Sequence, residues 1–402
     1  MSADTVAAPA PTARAPRWWD RVPPAWRFVL GLFLGTKLVV TAAALLAIHA
    51  FDGIRGQLPG AQARDDMTYG AVSPHRAIAV WFPWDALHYL RLVRMPVTGP
   101  DSDLVLQFCF PPLYPWLGKL ASPLVGGSAV AALLLVSNGA FLLLLYYAYR
   151  LAERLWGEAD DARRFARYVV LMPTAFIFQA ALTESLFLCL VVACFYYAES
   201  RRWLVVGVLG FLAALTRSIG FLLVVPLAVL LFEQGGHRLG YLRKGWPLVL
   251  VPGGWLTFMA YSFLRTGDWQ RYQHLQESRW GITLQNPLGL LWSGLVHGDG
   301  GADSVRLWFA VGYLVLMVVA ARYLRPAYVV YGLIFVLMPL SIGPLAAYRS
   351  LLRYLLMVFP LALLFTRWGR RPGIDPYLTA GLALVQGVLL VTWANDWVSF
   401  II

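Results

Sequence analysis

The feature that most constrains the fold is a series of apolar runs that recurs along the whole chain. These runs lie near residues 28–50, 128–149, 166–182, 185–199, 203–216, 218–232, 246–264, 307–323, 327–346, 351–366 and 377–395. A helix needs about 20 residues to cross a bilayer, so we expect about eleven transmembrane helices, of which the shorter ones are tilted or partly broken. With 59% hydrophobic and 13% charged residues among 402, the chain is predicted to be an all-α polytopic membrane protein.

The sequence around these runs predicts one membrane domain with an N-terminal tail. Residues 1–26, which begin with a stretch rich in Ala, Pro and Thr, are predicted to be a disordered cytoplasmic N-terminus. Residues 27–402 are predicted to form a single transmembrane domain with two large extracytoplasmic loops, 51–127 and 265–306, that carry short interfacial helices. Segment 105–125 is apolar but interrupted by prolines, which indicates an interfacial or re-entrant element.

The distribution of basic residues predicts the orientation in the membrane. With the N-terminus in the cytoplasm, 19 of the 33 Lys and Arg residues lie on the cytoplasmic side, and every cytoplasmic loop is basic. The net charge of +12 is dispersed over these short loops and forms no single patch. We therefore expect membrane lipids as neighbours and no nucleic-acid partner.

In this orientation the remaining polar clusters all face the extracytoplasmic side. They belong to five separate segments and comprise Asp85, His88 and Tyr89; Glu184; Arg217; Asp268, Gln273, His274 and Trp280; and Arg349, Ser350, Arg353 and Tyr354. Placing a charged side chain at membrane depth costs free energy, so such residues are usually functional or paired. Their convergence predicts a substrate-binding site at the extracytoplasmic membrane face.

Asp85 is the candidate catalytic residue. It follows Trp81-Phe82-Pro83-Trp84, and aromatic residues of this kind favour the membrane–water boundary. Asp85, His88 and Tyr89 are spaced to share one face of a helix. A partly desolvated carboxylate can act as a general base. The alternatives are a solvated loop carboxylate for Asp85 and simple packing for His88.

The other candidates are predicted to bind substrate. The planar guanidinium of arginine matches phosphate geometry, so Arg217, Arg349 and Arg353 are expected to meet an anionic ligand. Alternatively, the three arginines extend toward lipid head groups. The alternative for Glu184 is a structural role in the first turn of a helix, where the helix dipole favours a negative charge. Trp280 could stack on a sugar ring. The sequence has no metal-ligand spacing and no phosphate-binding glycine loop, so we expect no metal and no cofactor.

An ordered set of motifs resembles a known family. The motifs are Trp84-Asp85-x-x-His88-Tyr89, Phe110-Pro111-Pro112-Leu113-Tyr114-Pro115, Pro173 through Thr183-Glu184-Ser185-Leu186-Phe187, Ala214-Leu215-Thr216-Arg217-Ser218-Ile219-Gly220, Gly267-Asp268 to Trp280, and Ser350-x-x-Arg353-Tyr354-x-x-x-x-Phe359-Pro360. In this order, over residues 27–366, the chain resembles bacterial relatives of the phosphatidylinositol-glycan class V mannosyltransferases, members of the GT-C superfamily of polytopic glycosyltransferases.

The resemblance implies a GT-C-type fold and an inverting sugar transfer. The donor would be a polyprenyl-phosphate sugar, most simply of mannose, and the acceptor a hydroxyl of a lipid or glycolipid at the outer face of the bacterial plasma membrane. A carboxylate of the first outer loop would be the base, which is Asp85 here. The chain departs from the family at Cys109-Phe110-Pro111-Pro112, where the motif usually reads Phe-Phe-Pro-Leu-Tyr-Pro.

Other functions fit the same residues. A transporter or flippase of lipid-linked sugars would use the arginines and aromatic residues for binding alone. No internal repeat is evident, and the polar clusters lie at one membrane face, which disfavours that function. The sequence also does not distinguish an enzyme with a lipid acceptor from a GT-C enzyme that acts on a protein or a cell-wall glycan. A role as a non-catalytic scaffold would not explain why the chain carries Asp85 and Arg353 at these positions.

Overall fold

The computed structural model describes residues 21–51, 72–99, 103–236, 238–298, 301–344, 348 and 350–395. Residues 1–20 of the predicted disordered N-terminus and the candidate Arg349 lie outside these ranges. The first helix begins at Pro24, inside the segment that the sequence assigned to the N-terminal tail. Proline is favoured at the first helical position, because its missing N–H would have no partner there.

The described residues form a sequence of helices with one short strand pair. The α-helices are α1 Pro24–Ala50, α2 Arg76–Ala79, α3 Asp85–Arg94, α4 Leu104–Cys109, α5 Leu113–Ala121, α6 Ala129–Trp156, α7 Ala159–Leu171, α8 Glu184–Glu199, α9 Trp203–Thr216, α10 Val224–Gly235, α11 Leu239–Leu242, α12 Leu250–Thr266, α13 Arg271–Trp280, α14 Pro287–His297, α15 Gly301–Ala320, α16 Pro326–Leu340, α17 Leu351–Leu355, α18 Pro360–Trp368 and α19 Ile374–Ala394. Turns of 3₁₀ helix lie at Ser122–Val125, Ala175–Gln179, Ser218–Leu223 and Arg243–Val249.

The predicted all-α membrane architecture is confirmed. Within the described ranges, six helical stretches are long and apolar enough to cross a bilayer: Pro24–Ala50, Ala129–Trp156, Ser218–Gly235, Leu239–Thr266, Asp303–Ala320 and Ile374–Ala394. Helices α9 and α16 are apolar but shorter. Helix α8 is buried over most of its 16 residues and packs against α6 and α9. The count of eleven spans stays a prediction.

The run 166–182 is not one continuous helix. Helix α7 ends at Leu171, two residues before Pro173, and the following residues to Thr183 are buried without forming an α-helix. A buried irregular segment needs partners for its backbone groups. Its Leu182 carbonyl accepts a hydrogen bond from Ser137 Oγ at 3.1 Å, and the Ala181 N–H donates to the Trp81 carbonyl at 2.8 Å. The segment ends at the start of α8 and so places Glu184.

Segment 105–125 is broken in the way the prolines predict. Helices α4 and α5 have six and nine residues, and the chain is not helical at Phe110 and Pro111 between them. Neither helix is long enough to cross a bilayer. Helix α5 packs against α3 and α6, and Tyr114 shares a 2.7 Å hydrogen bond with Ser137 of α6.

A two-stranded antiparallel ladder joins two distant parts of the chain. Strand β1, Ile282–Leu284, pairs with β2, Ile342–Pro344, in the register Ile282 with Pro344, Thr283 with Gly343 and Leu284 with Ile342. The ladder connects the end of α13 to the chain just before α17. It is too short for sequence alternation to reveal, and it was not predicted.

Helices α9 and α12 approach closely because glycines lie where they cross. A Cβ atom on Gly254 would meet the backbone carbonyl of Phe211, whereas a Cβ atom on the neighbouring Gly253 would have only the ring of Phe211 at 4.0 Å. Small residues allow membrane helices to pack at short distance.

Gly254→Ala is therefore expected to lower the free energy of unfolding by about 1–3 kcal/mol, because the two helices must move apart. Gly253→Ala is the matched control, and it should be neutral or stabilising by up to about 1 kcal/mol, since alanine is the better helix former. Denaturant unfolding of the detergent-solubilised protein measures both. Equal effects of the two variants would contradict close packing at Gly254.

Candidate active site

One cavity brings together side chains from six parts of the chain. It has a volume of about 140 Å³ and is lined by Asp85, Tyr89, Cys109, Phe110, Pro111, Thr183, Thr216, Arg217, Ser218, Ile219, Tyr272, Gln276, Trp280, Ile282, Ser350, Arg353 and Tyr354. Four of the five polar segments singled out from the sequence contribute candidate residues to this lining, and the Glu184 segment contributes through its neighbour Thr183. A concave site with few convergent polar groups among apolar walls is typical of a ligand pocket.

Asp85 is the first residue of α3, and its placement involves backbone strain. The residue before it, Trp84, has a φ of 45°, which costs a non-glycine residue about 1–3 kcal/mol. The Asp85 side chain is 28% exposed. Its Oδ2 accepts a hydrogen bond from Arg353 Nη1 at 2.6 Å, and no described residue donates to Oδ1. One carboxylate oxygen therefore stays available to a ligand in the cavity.

Two guanidinium groups meet one buried carboxylate next to Asp85. Arg353 donates through Nε to Glu184 Oε1, and Arg217 Nη1 donates to the same oxygen at 2.8 Å. Arg217 also donates to Thr183 Oγ1 at 3.0 Å. Two carboxylates and two guanidiniums sum to zero charge, which allows so many ions to lie together away from water.

Glu184 acts on the arginines and does not reach the cavity. Its side chain is completely buried, and its Oε2 atom has no hydrogen-bond partner among the described residues. The sequence predicted direct substrate binding for this residue. The structure instead places its carboxylate behind the guanidinium groups, because the buried segment before α8 delivers Glu184 into the interior. Its contacts orient Arg217 and Arg353.

Three residues around α17 line the cavity together. Ser350, Arg353 and Tyr354 all contribute to the lining. The Arg217 guanidinium lies 4.9 Å from the centre of the Tyr354 ring, a cation–π arrangement. Tyr354 thus holds Arg217 from a second direction while the ion pair holds it from the first.

Helix α13 presents one face to the cavity. Tyr272, Gln276 and Trp280 lie at intervals of four residues, so they form one stripe. Tyr272 donates through its hydroxyl to Ser218 Oγ at 3.1 Å, and Gln276 Nε2 donates to the Cys109 carbonyl at 2.7 Å. Burial raises the pKa of Tyr272 above its ordinary value, so the phenol keeps its proton at neutral pH.

Three sequence candidates in the second large loop lie outside the described lining of the cavity. Gln273 is exposed on another face of α13. His274 Nδ1 and Asp268 Oδ2 lie 2.9 Å apart, and this hydrogen bond holds the pKa of Asp268 below its ordinary value. The substrate-binding role of Asp268, Gln273 and His274 stays a prediction, and the structure places all three outside this lining. The packing of α13 against its neighbours decides which face of this helix is turned toward the cavity.

Among the lining residues that sequence reasoning did not name as candidates are Ser218, Tyr272 and Gln276. The four-residue spacing back from Trp280 was the signal that could have found two of them. His88, by contrast, supports the wall: its ring centre lies 5.5 Å from that of Phe110 and 6.4 Å from that of Trp280. His88 is outside the described lining, and this position agrees with its packing alternative.

In the part of the chain that the structure describes, no three His, Cys, Asp or Glu residues are grouped closely enough to hold a metal ion. The charged groups that the described residues bring to the cavity are the Asp85 carboxylate and the guanidinium groups of Arg217 and Arg353.

Comparisons with known proteins give a distant structural likeness. No family model and no curated protein matches the chain. Among solved structures, ArnT from Cupriavidus metallidurans bound to undecaprenyl phosphate is similar at 14% identity and a TM-score of 0.48, over 79% of this chain and 76% of that chain. The Archaeoglobus fulgidus oligosaccharyltransferase in complex with Zn and sulfate is similar at 11% identity and a TM-score of 0.42, over 89% of this chain and 53% of that one. Likeness at this level does not assign a family.

Proposed function

We propose that the protein is an inverting GT-C-type glycosyltransferase of the extracytoplasmic membrane face. It moves a sugar, mannose by the family resemblance, from a polyprenyl-phosphate sugar to a hydroxyl of a lipid or glycolipid. The observation that carries the proposal is the contact between Asp85 and Arg353 in a cavity that Arg217 also lines. The site thus offers a base beside two cations that match a phosphate.

The reaction follows from these groups. Asp85 Oδ1, which accepts no hydrogen bond from the described residues, takes the proton of the acceptor hydroxyl. The acceptor oxygen forms a bond to the anomeric carbon as the bond from that carbon to the phosphate oxygen breaks. The electron pair leaves with the lipid phosphate, and Arg217 and Arg353 stabilise its developing charge. The leaving group is already a phosphate, so no general acid is required.

The ion pairs also prepare the site before the lipid arrives. Glu184 holds both guanidinium groups through one oxygen, so their rotamers are set without a ligand. A bound phosphate shares Arg353 with Asp85, which keeps the base close to the anion. Preorganised charges of this kind lower the reorganisation needed in the transition state.

The proposal is tested by incubating the purified full-length protein with radiolabelled polyprenyl-phosphate mannose and a total lipid extract. We expect label to move into a new lipid. Donor binding without transfer to lipid, peptide or glycan acceptors would instead favour a transporter of lipid-linked sugars.

Arg217→Gln is expected to weaken binding of the donor lipid about 10- to 100-fold, because a charge-assisted contact with the phosphate is lost. Arg279→Gln is the matched control: Arg279 is exposed on α13, outside the described lining. Equilibrium binding of polyprenyl phosphate to both variants measures the difference. If the two weaken binding equally, general attraction by positive charge explains it and a phosphate site at Arg217 is wrong.

A further inference from the structure

A second groove lies beside the active-site cavity, and in the described chain Phe110 is the one residue that lines both. Most of the groove lining is apolar, and Gln107, Lys119 and Tyr261 add polar groups. We propose that this groove binds the phosphate headgroup of an anionic phospholipid from the surrounding bilayer. The site is separate from the one proposed for the donor lipid, and it does not depend on the proposed sugar transfer.

Helix α3 connects the two sites. Asp85, its first residue, and Tyr89 line the active-site cavity, whereas Leu92 and Met95, at the other end of the helix and just beyond it, line the groove. The ten residues of α3 span about 15 Å. A phosphate bound in the groove is therefore a second phosphate, distinct from the one proposed beside Asp85.

Lys119 gives the groove a positive charge. It is the one charged residue that the described chain brings to the groove lining, and its Nζ donates to the Met95 carbonyl. An ammonium group has three donors, so two are left for a ligand. Asp103, which caps the helix that carries Gln107, is paired with Arg91 at 3.1 Å. No carboxylate of the described residues forms an ion pair with Lys119.

Arg265 brings a second positive charge next to the groove. Its Nη1 lies 3.4 Å from the hydroxyl oxygen of Tyr261, and its Cζ lies 6.0 Å from the centre of that ring. Arg265 is in the last turn of α12, where the candidate span Leu239–Thr266 ends. Basic side chains at the end of a span extend to the level of the lipid head groups. Both cations can therefore meet the phosphate of a lipid.

Exposed apolar side chains lie beside these cations. Trp116 and Leu120, one turn apart on α5, are 43% and 74% exposed, and Leu264, next to Arg265, is 81% exposed. Trp116 packs edge to face against Tyr261, with ring centres 6.4 Å apart, so the surfaces of α5 and α12 adjoin. Acyl chains suit an apolar surface of this kind. Two cations at the end of a span, with apolar surface beside them, fit a phospholipid and its headgroup.

The size and charge of the groove select the headgroup. Its volume is about 20 Å³, against about 140 Å³ for the active-site cavity. One small group such as a phosphate suits a space that is slightly larger than a single water molecule requires. Phosphatidylcholine would bring its own ammonium group toward Lys119 and Arg265, and like charges repel. Phosphatidylglycerol carries only the phosphate charge and is the better ligand.

The test titrates phosphatidylglycerol or phosphatidylcholine into the full-length protein in a neutral detergent, and native mass spectrometry gives the dissociation constants. The wild type should bind one phosphatidylglycerol about tenfold more tightly than phosphatidylcholine. Inorganic phosphate at the same concentration should not displace the lipid, because it lacks the acyl chains that contact the apolar surface. Displacement by inorganic phosphate would show a general anion site and overturn the lipid site.

Lys119→Gln and Arg265→Gln should each weaken phosphatidylglycerol binding about tenfold, the effect of one charge-assisted hydrogen bond. Glutamine can still donate to the Met95 carbonyl or to Tyr261, so the groove keeps its shape. Neither variant should change the dissociation constant of polyprenyl phosphate, a result that general damage to the fold would not produce.

Arg279→Gln is the matched control for the lost charge. Arg279 is exposed on α13, outside the described lining of both the groove and the active-site cavity. Its replacement should leave phosphatidylglycerol binding unchanged. Equal weakening by Lys119→Gln and Arg279→Gln, or equal affinity of the wild type for the two phospholipids, would overturn the site.

Discussion

Asp85→Asn is expected to reduce the rate of sugar transfer by about three orders of magnitude, because the acceptor hydroxyl loses its base. Donor binding should be unchanged or tighter, since Arg353 no longer shares its Nη1 with a carboxylate. A fall in kcat without weaker lipid binding separates the loss of a base from the loss of a binding group. Single-turnover transfer of radiolabelled sugar, beside equilibrium binding of polyprenyl phosphate, gives both quantities.

Asp268→Asn is the matched control for this experiment. The substitution is identical, and Asp268 belongs to the second large loop, but its carboxylate pairs with His274 outside the described lining of the cavity. Its transfer rate should stay close to that of the wild type. Full activity of Asp85→Asn in a normally folded protein would mean that another group accepts the proton.

Glu184→Gln is expected to lower the free energy of unfolding by about 3–5 kcal/mol, the usual effect of removing one partner from a buried ion cluster. The wild-type cluster sums to zero: two negative charges from Asp85 and Glu184, and two positive charges from Arg217 and Arg353. The variant leaves the cluster with one positive charge in excess. The Arg217 and Arg353 side chains, which carry the positive charges, are almost completely buried. Denaturant unfolding in detergent measures the loss.

Removing Arg217 together with Glu184 restores the charge balance. The double variant Glu184→Gln/Arg217→Gln should therefore be more stable than the sum of the single effects predicts, by about 1–3 kcal/mol. Glu277→Gln, at an exposed position of α13, should change stability by no more than about 0.5 kcal/mol. Additive effects of Glu184 and Arg217 would show that their contact does not stabilise the fold.

Much of the candidate site was predictable because charged residues are rare among apolar runs. Asp85, Arg217 and Arg353 stood out on that ground, and the structure places all three at one cavity. Their assignment to one side required only the order of the runs and the distribution of basic residues. The roles of the three residues stay predictions until transfer is measured.

The details that were not predictable concern which face of an element is turned inward. Gln273 and Gln276 are chemically identical and lie one helical turn apart, yet only Gln276 lines the cavity. His88 packs against aromatic rings. Glu184 does not line the cavity, but its carboxylate orients two arginines that do. Each outcome depends on neighbours that are distant in sequence, such as α4 for Gln276 and α17 for Glu184.

By itself, the sequence determined the all-α membrane class, the proline breaks in segment 105–125 and the segments that meet at one cavity. These features depend on local hydropathy and on the cost of placing charge in lipid. Only the tertiary structure decided that residues 172–183 are buried without an α-helix, that β1 pairs with β2, and that Glu184 organises Arg217 and Arg353. These features depend on hydrogen bonds and ion pairs between segments that are distant in sequence. The local sequence pattern of one segment does not specify which other segment it contacts.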